Sequence, residues 1–181
     1  MTPPEFVPEL VDSHCHLDFA DFDGEVDAII ARAAEAGVRR MVTICTKLPN
    51  EPKVRAIAEA HPGVFYAFGI HPMSVAEAEP VSLADLVAFA KHPKMVGIGE
   101  TGLDYHYTPD SAEVQKRSLR VHVAAAQDPG LPLIIHARAA DDDMARILAE
   151  GMVVRHFGCC MHCFSSGPDL ARAAVVMGLY L

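Results

Sequence analysis

The stretch ELVDSHCHLD, residues 9–18, starts as an apolar strand and ends in two histidines, His14 and His16, one residue apart. Residues i and i+2 of a strand project to the same face, so both imidazoles can reach one ion. Neutral imidazole binds zinc, copper, iron and nickel. The alternative interpretation is a polar loop, or a strand whose histidines face solvent, and residues elsewhere in the chain are needed to distinguish it from a metal site.

Apolar, β-branched runs alternate with amphipathic stretches along the rest of the chain. This alternation predicts βα units and a parallel sheet. After the first strand, we expect strands in residues 39–46, 64–72, 95–104, 131–137 and 159–165, with 178–181 opening a seventh. Helices are expected in residues 24–38, 51–63, 81–93, 111–130, 141–151 and 167–178. Ser82 is the predicted N-cap of the third helix.

The polar residues of these strands stand towards the carboxyl ends, as the active-site residues of parallel barrels do. A doubly wound sheet would instead place a glycine-rich phosphate loop after the first strand, and none is present there. We therefore expect an α/β fold of the TIM-type (β/α) barrel class, incomplete, with about six and a half of the eight βα units. One domain is expected over residues 1–181.

Composition narrows the class of protein. The formal net charge is −9, which is unlike a basic nucleic-acid-binding surface, although bound metal ions can supply local positive charge. The first ten residues, MTPPEFVPEL, lack the basic and apolar regions of a signal peptide. No apolar run approaches the length of a membrane span. The five cysteines do not have the pattern of a secreted disulfide framework. A cytoplasmic location is therefore expected. Cys160 and Cys163 form a lone C-x-x-C, for which buried thiols are favoured over a zinc or redox motif.

Four further polar residues follow the pattern of the first strand: His71, Glu100, His136 and His162. Each histidine alone is compatible with a structural role. A carboxylate inside an apolar strand rarely lacks a binding partner, because burying it unpaired costs several kcal/mol. Convergence of all these side chains at one barrel mouth favours a metal site.

The motifs DSHCHLD, GIHP, GIGETGLDY, LPLIIHAR and MHCFSS resemble, in this order, those of the TatD family of metal-dependent deoxyribonucleases, within the amidohydrolase-like TIM barrels. The resemblance covers nearly the whole chain. It implies a divalent-metal-dependent hydrolase that cleaves DNA phosphodiester bonds, typically as an exonuclease from the 3′ end. The implied partner is DNA with single-stranded ends, without a membrane or an obligate protein partner.

The resemblance also implies two divalent metal ions, Mg, Mn or Zn. His14 and His16 would hold one ion, and Glu100 would act as bridging ligand and catalytic residue. His136 and His162 would hold the second ion. Two ions in such a centre activate water and stabilise the attacking and leaving oxygens.

Three more residues are implied to bind or position the substrate: His71 near the substrate phosphate, and Asp104 and Arg138 in phosphate contact or in support of the ligands. The chain departs from the family after GLDY, where it has His106 and Tyr107 in place of the usual arginine.

The family's further aspartate, on the eighth strand, has no counterpart before Leu181, where the seventh strand begins. We therefore expect a C-terminally truncated chain with little nuclease activity. The alternatives are another hydrolase of the superfamily, acting on an amide, lactone or phosphotriester, and an inactive fragment or metal-binding interaction protein. Those other hydrolases usually bridge their metals with a carboxylated lysine or a glutamate, and here no lysine ends a predicted strand, whereas Glu100 does.

Overall fold

Six parallel strands form one curled sheet, a half-barrel, in the computed structural model, which describes residues 9–181. Each strand is hydrogen-bonded to the next in chain order, from β1 to β6. The strands are β1 Leu10–Cys15, β2 Val38–Cys45, β3 Val64–Phe68, β4 Met95–Asp104, β5 Leu133–Arg138 and β6 Cys159–Met161. The predicted α/β class and the parallel order are confirmed.

A helix follows each strand and returns the chain to the start of the next one. The helices are α1 Val26–Glu35, α2 Glu51–Ala60, α3 Leu83–Phe89, α4 Ala112–Gln127, α5 Asp141–Val154 and α6 Pro168–Val176. The predicted cap of α3 is confirmed, since Ser82 accepts from the Asp85 amide and the Asp85 side chain accepts from the Ser82 amide. Within residues 9–181, no helix is long and apolar enough to cross a membrane.

The core lies between the sheet and its helices. Phe68 and Ile98 of the strands and Leu86, Leu119 and Leu148 of the helices are completely buried. Each such side chain contributes about 1.5–3 kcal/mol relative to an exposed one. The predicted seventh strand is represented by a single parallel bridge between Cys160 and Tyr180.

Strand β4 carries a bulge around Glu100. The pairing with β5 runs from Ile98 opposite Leu133 to Thr101 opposite Ile135, so β4 has one residue more than its partner. Such bulges re-aim side chains. Gly99, with φ +141°, permits the close approach, because a Cβ there would collide with the backbone of Ile134. Glu100 thus lies inside β4 at this break, and not at the end of the strand as the sequence suggested.

The buried His122 of α4 ties this helix to the loop that follows β3. Its Nε2 accepts the Ile70 amide at 3.1 Å, and its Nδ1 donates to the Ser118 carbonyl at 2.8 Å. Burial lowers the pKa of His122 to about 4, against a smaller opposing effect of the Ser118 carbonyl. The neutral ring therefore holds the residue that precedes His71.

This pairing predicts a pH dependence of stability. The unfolded chain protonates His122 near its ordinary pKa of about 6.5, whereas the folded chain does so only near 4. The stabilisation is therefore complete above pH 6.5 and is lost towards pH 4, by up to about 1.4 kcal/mol per pH unit. Urea unfolding at pH 5 and pH 7 measures it.

His122→Gln is the matched variant, because it keeps a polar acceptor without an ionisable ring. It is expected to lose less stability than the original chain between pH 7 and pH 5. Identical losses in the two proteins would contradict the assignment.

Candidate metal centre

Two groups of metal-ligating side chains share one carboxylate, that of Glu100. One group consists of His14, His16 and Glu100, and the other of His71, Glu100 and His136. Within each group, the potential ligand atoms all lie within 4.8 Å of one another. These residues come from four strands or from the segments that follow them. His14, Glu100 and His136 lie on β1, β4 and β5. His16 directly follows β1, and His71 lies in the loop after β3.

The two oxygens of Glu100 face different histidines. Oε2 lies 3.4 Å from Nε2 of His14. Oε1 lies 3.4 Å from Nδ1 of His136 and 3.6 Å from Nε2 of His71. The carboxylate, only 3% exposed, therefore stands between the two groups with one oxygen turned to each.

His14 shows that the donor set fits a metal ion. Both of its ring nitrogens are buried, and neither makes a hydrogen bond within residues 9–181. Buried polar atoms without a partner are destabilising and uncommon. An imidazole lone pair directed at a cation would remove this penalty, and nitrogen with carboxylate oxygen is a donor set typical of zinc and related ions.

Hydrogen bonds at the opposite ring nitrogens fix the tautomers of two candidate ligands. Nδ1 of His16 lies 3.3 Å from the Ile44 carbonyl, which can only accept, so Nε2 keeps its lone pair. Nε2 of His136 lies 2.9 Å from Oδ2 of Asp104, which leaves Nδ1 turned to Glu100. Such partners orient metal-binding histidines and raise their basicity.

The hydrogen bond of His71 fixes its ring in a tautomer whose Nε2 carries the proton. Its Nδ1 accepts the Met73 amide at 3.3 Å, so the proton of the neutral ring is on Nε2, the atom that faces Glu100. Burial lowers the pKa of His71 to about 4, although the charge of Glu100 opposes this shift. In this arrangement the ring is a neutral hydrogen-bond donor.

The charges of the centre are set by burial and by these contacts. Burial raises the pKa of Glu100, but the imidazoles of His136 and His14 outweigh it and hold the pKa well below its usual range. Burial lowers the pKa of His136, yet Glu100 and Asp104 raise it overall. The centre therefore keeps a negative carboxylate, whose charge a cation would neutralise.

The remaining predicted residues lie around these groups. His162 follows β6 and stacks on His14, with ring centroids 3.4 Å apart, and the structure does not group it with Glu100 and His136. Asp104 is completely buried, so it supports His136 from behind, while Arg138 is exposed. These positions bring His162 next to His14 and leave Arg138 open to a ligand.

Sequence reasoning missed Gln115. This fully buried residue of α4 accepts the Asp104 amide at 2.7 Å and donates to the Asp104 carbonyl at 3.0 Å. It also donates to the backbone of Thr108 and the hydroxyl of Ser111. The signal in the sequence was the spacing: Gln115 is four residues before Leu119, so the two lie on the same, buried face of the helix.

Comparisons with known proteins agree on one family. The profile of the family described as "TatD related DNase" matches residues 11–181. An Escherichia coli protein named "Uncharacterized metal-dependent hydrolase YcfH" is 34% identical, and the match covers 95% of this chain and 65% of that protein. A Salmonella typhimurium protein named "3'-5' ssDNA/RNA exonuclease TatD" is 27% identical, with 95% and 66% covered.

Solved structures show the same fold. The crystal structure of YjjV, a TatD homologue from Escherichia coli, superposes with a TM-score of 0.86 at 31% identity, over 96% of this chain and 67% of that one. A TatD-family hydrolase from Entamoeba histolytica gives 0.83 at 21% identity, over 97% and 64%. The chain thus spans about two thirds of the length of the proteins that it matches.

Metal titration tests the shared role of Glu100. Because Glu100 belongs to both groups, Glu100→Ala is expected to weaken binding of Mn²⁺ or Zn²⁺ at each, whereas His71→Ala removes only a donor beside one of them. Isothermal titration calorimetry gives the stoichiometry and affinity.

His156→Ala, which removes an exposed histidine, serves as the control and is expected to bind like the original chain. If Glu100→Ala and His71→Ala bind metal equally well, the shared role of Glu100 is wrong.

Proposed function

The chain belongs to the family of TatD-related DNases, and on this premise we propose that it is a divalent-metal-dependent hydrolase of DNA phosphodiester bonds. We further propose that it removes nucleotides from the 3′ end of single strands. The name of the Salmonella relative supports the nucleic-acid substrate. The observation that carries the proposal is the Glu100 carboxylate, with one oxygen turned to each histidine group.

In this proposal His14, His16 and Glu100 hold one ion. Glu100 and His136 hold the other, with His162 as a further ligand. When bound, divalent ions supply an activated water and stabilise the charge that develops on the phosphate. The support for a metal-binding role of His162 is its place beside His14 and its pKa, which burial lowers, so that the ring stays neutral; its assignment to the second ion follows the family resemblance.

Two side chains are proposed to position the phosphodiester. His71 presents its Nε2–H towards the centre, 3.6 Å from Oε1 of Glu100, and this N–H would donate a hydrogen bond to a phosphate oxygen. Arg138 makes no salt bridge with a carboxylate of residues 9–181, so its guanidinium is available to a phosphate. Asp104 acts through His136, whose ring it orients.

A nuclease assay with labelled DNA tests the function. A 5′-labelled single strand, incubated with excess protein and Mn²⁺ or Mg²⁺, is expected to shorten stepwise from its 3′ end, because single-turnover conditions detect slow cleavage. A chelator is expected to stop the reaction. Blunt duplex DNA, RNA and a lactone are the comparison substrates, and hydrolysis of the lactone without cleavage of DNA would refute the proposal.

Asp104→Asn tests the support of His136 separately. It removes the negative partner of the ring, and loss of such partners typically lowers metal affinity or activity about 10- to 100-fold. We expect a loss of this size in the cleavage rate, with partial recovery at higher Mn²⁺ concentration. An unchanged rate and metal dependence would show that Asp104 does not position His136.

A further inference from the structure

The loop that follows β4 is held rigidly at the edge of the metal centre. Oδ1 of Asp104 accepts the amides of His106 at 3.0 Å and Tyr107 at 2.7 Å. Gln115 holds the other side of the loop through the backbone of Asp104 and Thr108. Buried polar contacts of this kind fix a backbone in one conformation, so the loop presents its next side chains in a defined place.

The rigid loop presents an aromatic ring to solvent beside a cation. Tyr107 is 57% exposed, and the guanidinium carbon of Arg138 lies over its ring, 4.9 Å from the centroid. The ring of His106 packs edge-on against Tyr107, with centroids 4.6 Å apart. The cation–π contact leaves the charge of Arg138 available to a phosphate.

This pair borders the predicted ligands. Arg138 and His136 are residues i and i+2 of β5, so their side chains project to the same face, about 7 Å apart along the strand. Asp104 is opposite Arg138 in the register of β4 and β5, and its carboxylate also contacts His136. Tyr107 is thus linked to a ligand of the centre through one carboxylate.

We propose that Tyr107 and Arg138 form a subsite for a nucleobase next to the phosphodiester that is cleaved, an inference that rests on the proposed function. The base stacks on the exposed ring of Tyr107, and Arg138 pairs with the adjacent phosphate. Unpaired bases stack on aromatic rings and guanidinium planes regardless of their identity. Despite its acidic net charge, the chain binds single strands at this subsite through stacking on Tyr107 and the positive charge of Arg138.

Binding of two oligonucleotide probes to the metal-free chain tests the subsite. One is a fluorescein-labelled single-stranded oligodeoxyadenylate, and the other has the same phosphate backbone with abasic sites in place of adenines. A chelator prevents cleavage, and fluorescence anisotropy gives the affinities. Tyr107→Ala is expected to weaken adenylate binding at least about fivefold and to leave abasic binding unchanged.

Tyr107→Phe keeps the ring and is expected to bind adenylate like the original chain. Arg138→Gln removes the charge and is expected to weaken both probes. Thermal unfolding of each variant confirms that the fold is retained, which is expected because both side chains are exposed.

The subsite is overturned if Tyr107→Ala leaves adenylate binding unchanged, if it weakens both probes equally, or if the original chain does not bind adenylate. Failure of the proposed function looks different. In that case the chain with Mn²⁺ leaves single-stranded DNA intact, while the selective effect of Tyr107→Ala on adenylate binding persists.

Discussion

One buried carboxylate, that of Glu100, sets the conditions for the structure around it. Taking an ionised carboxylate out of water costs several kcal/mol unless charge or hydrogen bonds compensate. Here the imidazoles of His14, His71 and His136, on β1, the β3 loop and β5, lie 3.4 to 3.6 Å away, and a bound cation would complete the compensation. Each of those elements must hold its register for the contacts to exist. The bulge in β4, with Gly99 against the backbone of Ile134, is the local feature that turns the carboxylate to them.

A second layer keeps the imidazoles in the required tautomers, and much of it is itself buried. Asp104 is completely buried, and its charge is compensated by the amides of the following loop and by His136. Gln115 and His122 lie seven residues, or about two turns, apart on the buried face of α4. They tie α4 to the loops after β4 and β3. Helix α4 therefore positions both edges of the centre. The polar residues on the buried face of α4 thus contact the loops beside the candidate site.

The strand and helix pattern could be predicted because apolar periodicity and capping are local properties. Ser82 at the start of α3 is one example, and the positions of all six strands are another. His14, His16, Glu100 and His136 come together as the alternation of parallel strands implied. The convergence of His71 on the same site was expected as well, but its contact with Glu100 and the stacking of His162 on His14 could not be predicted, because they depend on loop conformations and side-chain contacts between distant segments. The bulge at Glu100 depends likewise on pairing with β5, although Gly99 inside β4 is a sequence signal for a bulge.

The acidic net charge and a nucleic-acid substrate are compatible only if positive charge is local. A chain of net charge −9 repels a polyanion at long range, but salt screens that repulsion beyond about 10 Å. At short range the balance would be reversed under the proposed function, because cations at the histidine groups would neutralise Glu100, and Arg138 makes no salt bridge with a carboxylate of residues 9–181. A bound cation would then add to the affinity for phosphate that Arg138 provides, and a base stacked on Tyr107 would add binding free energy that does not depend on charge. Under the proposed function, a small cationic site in an acidic surface would therefore attract a phosphate only at short range.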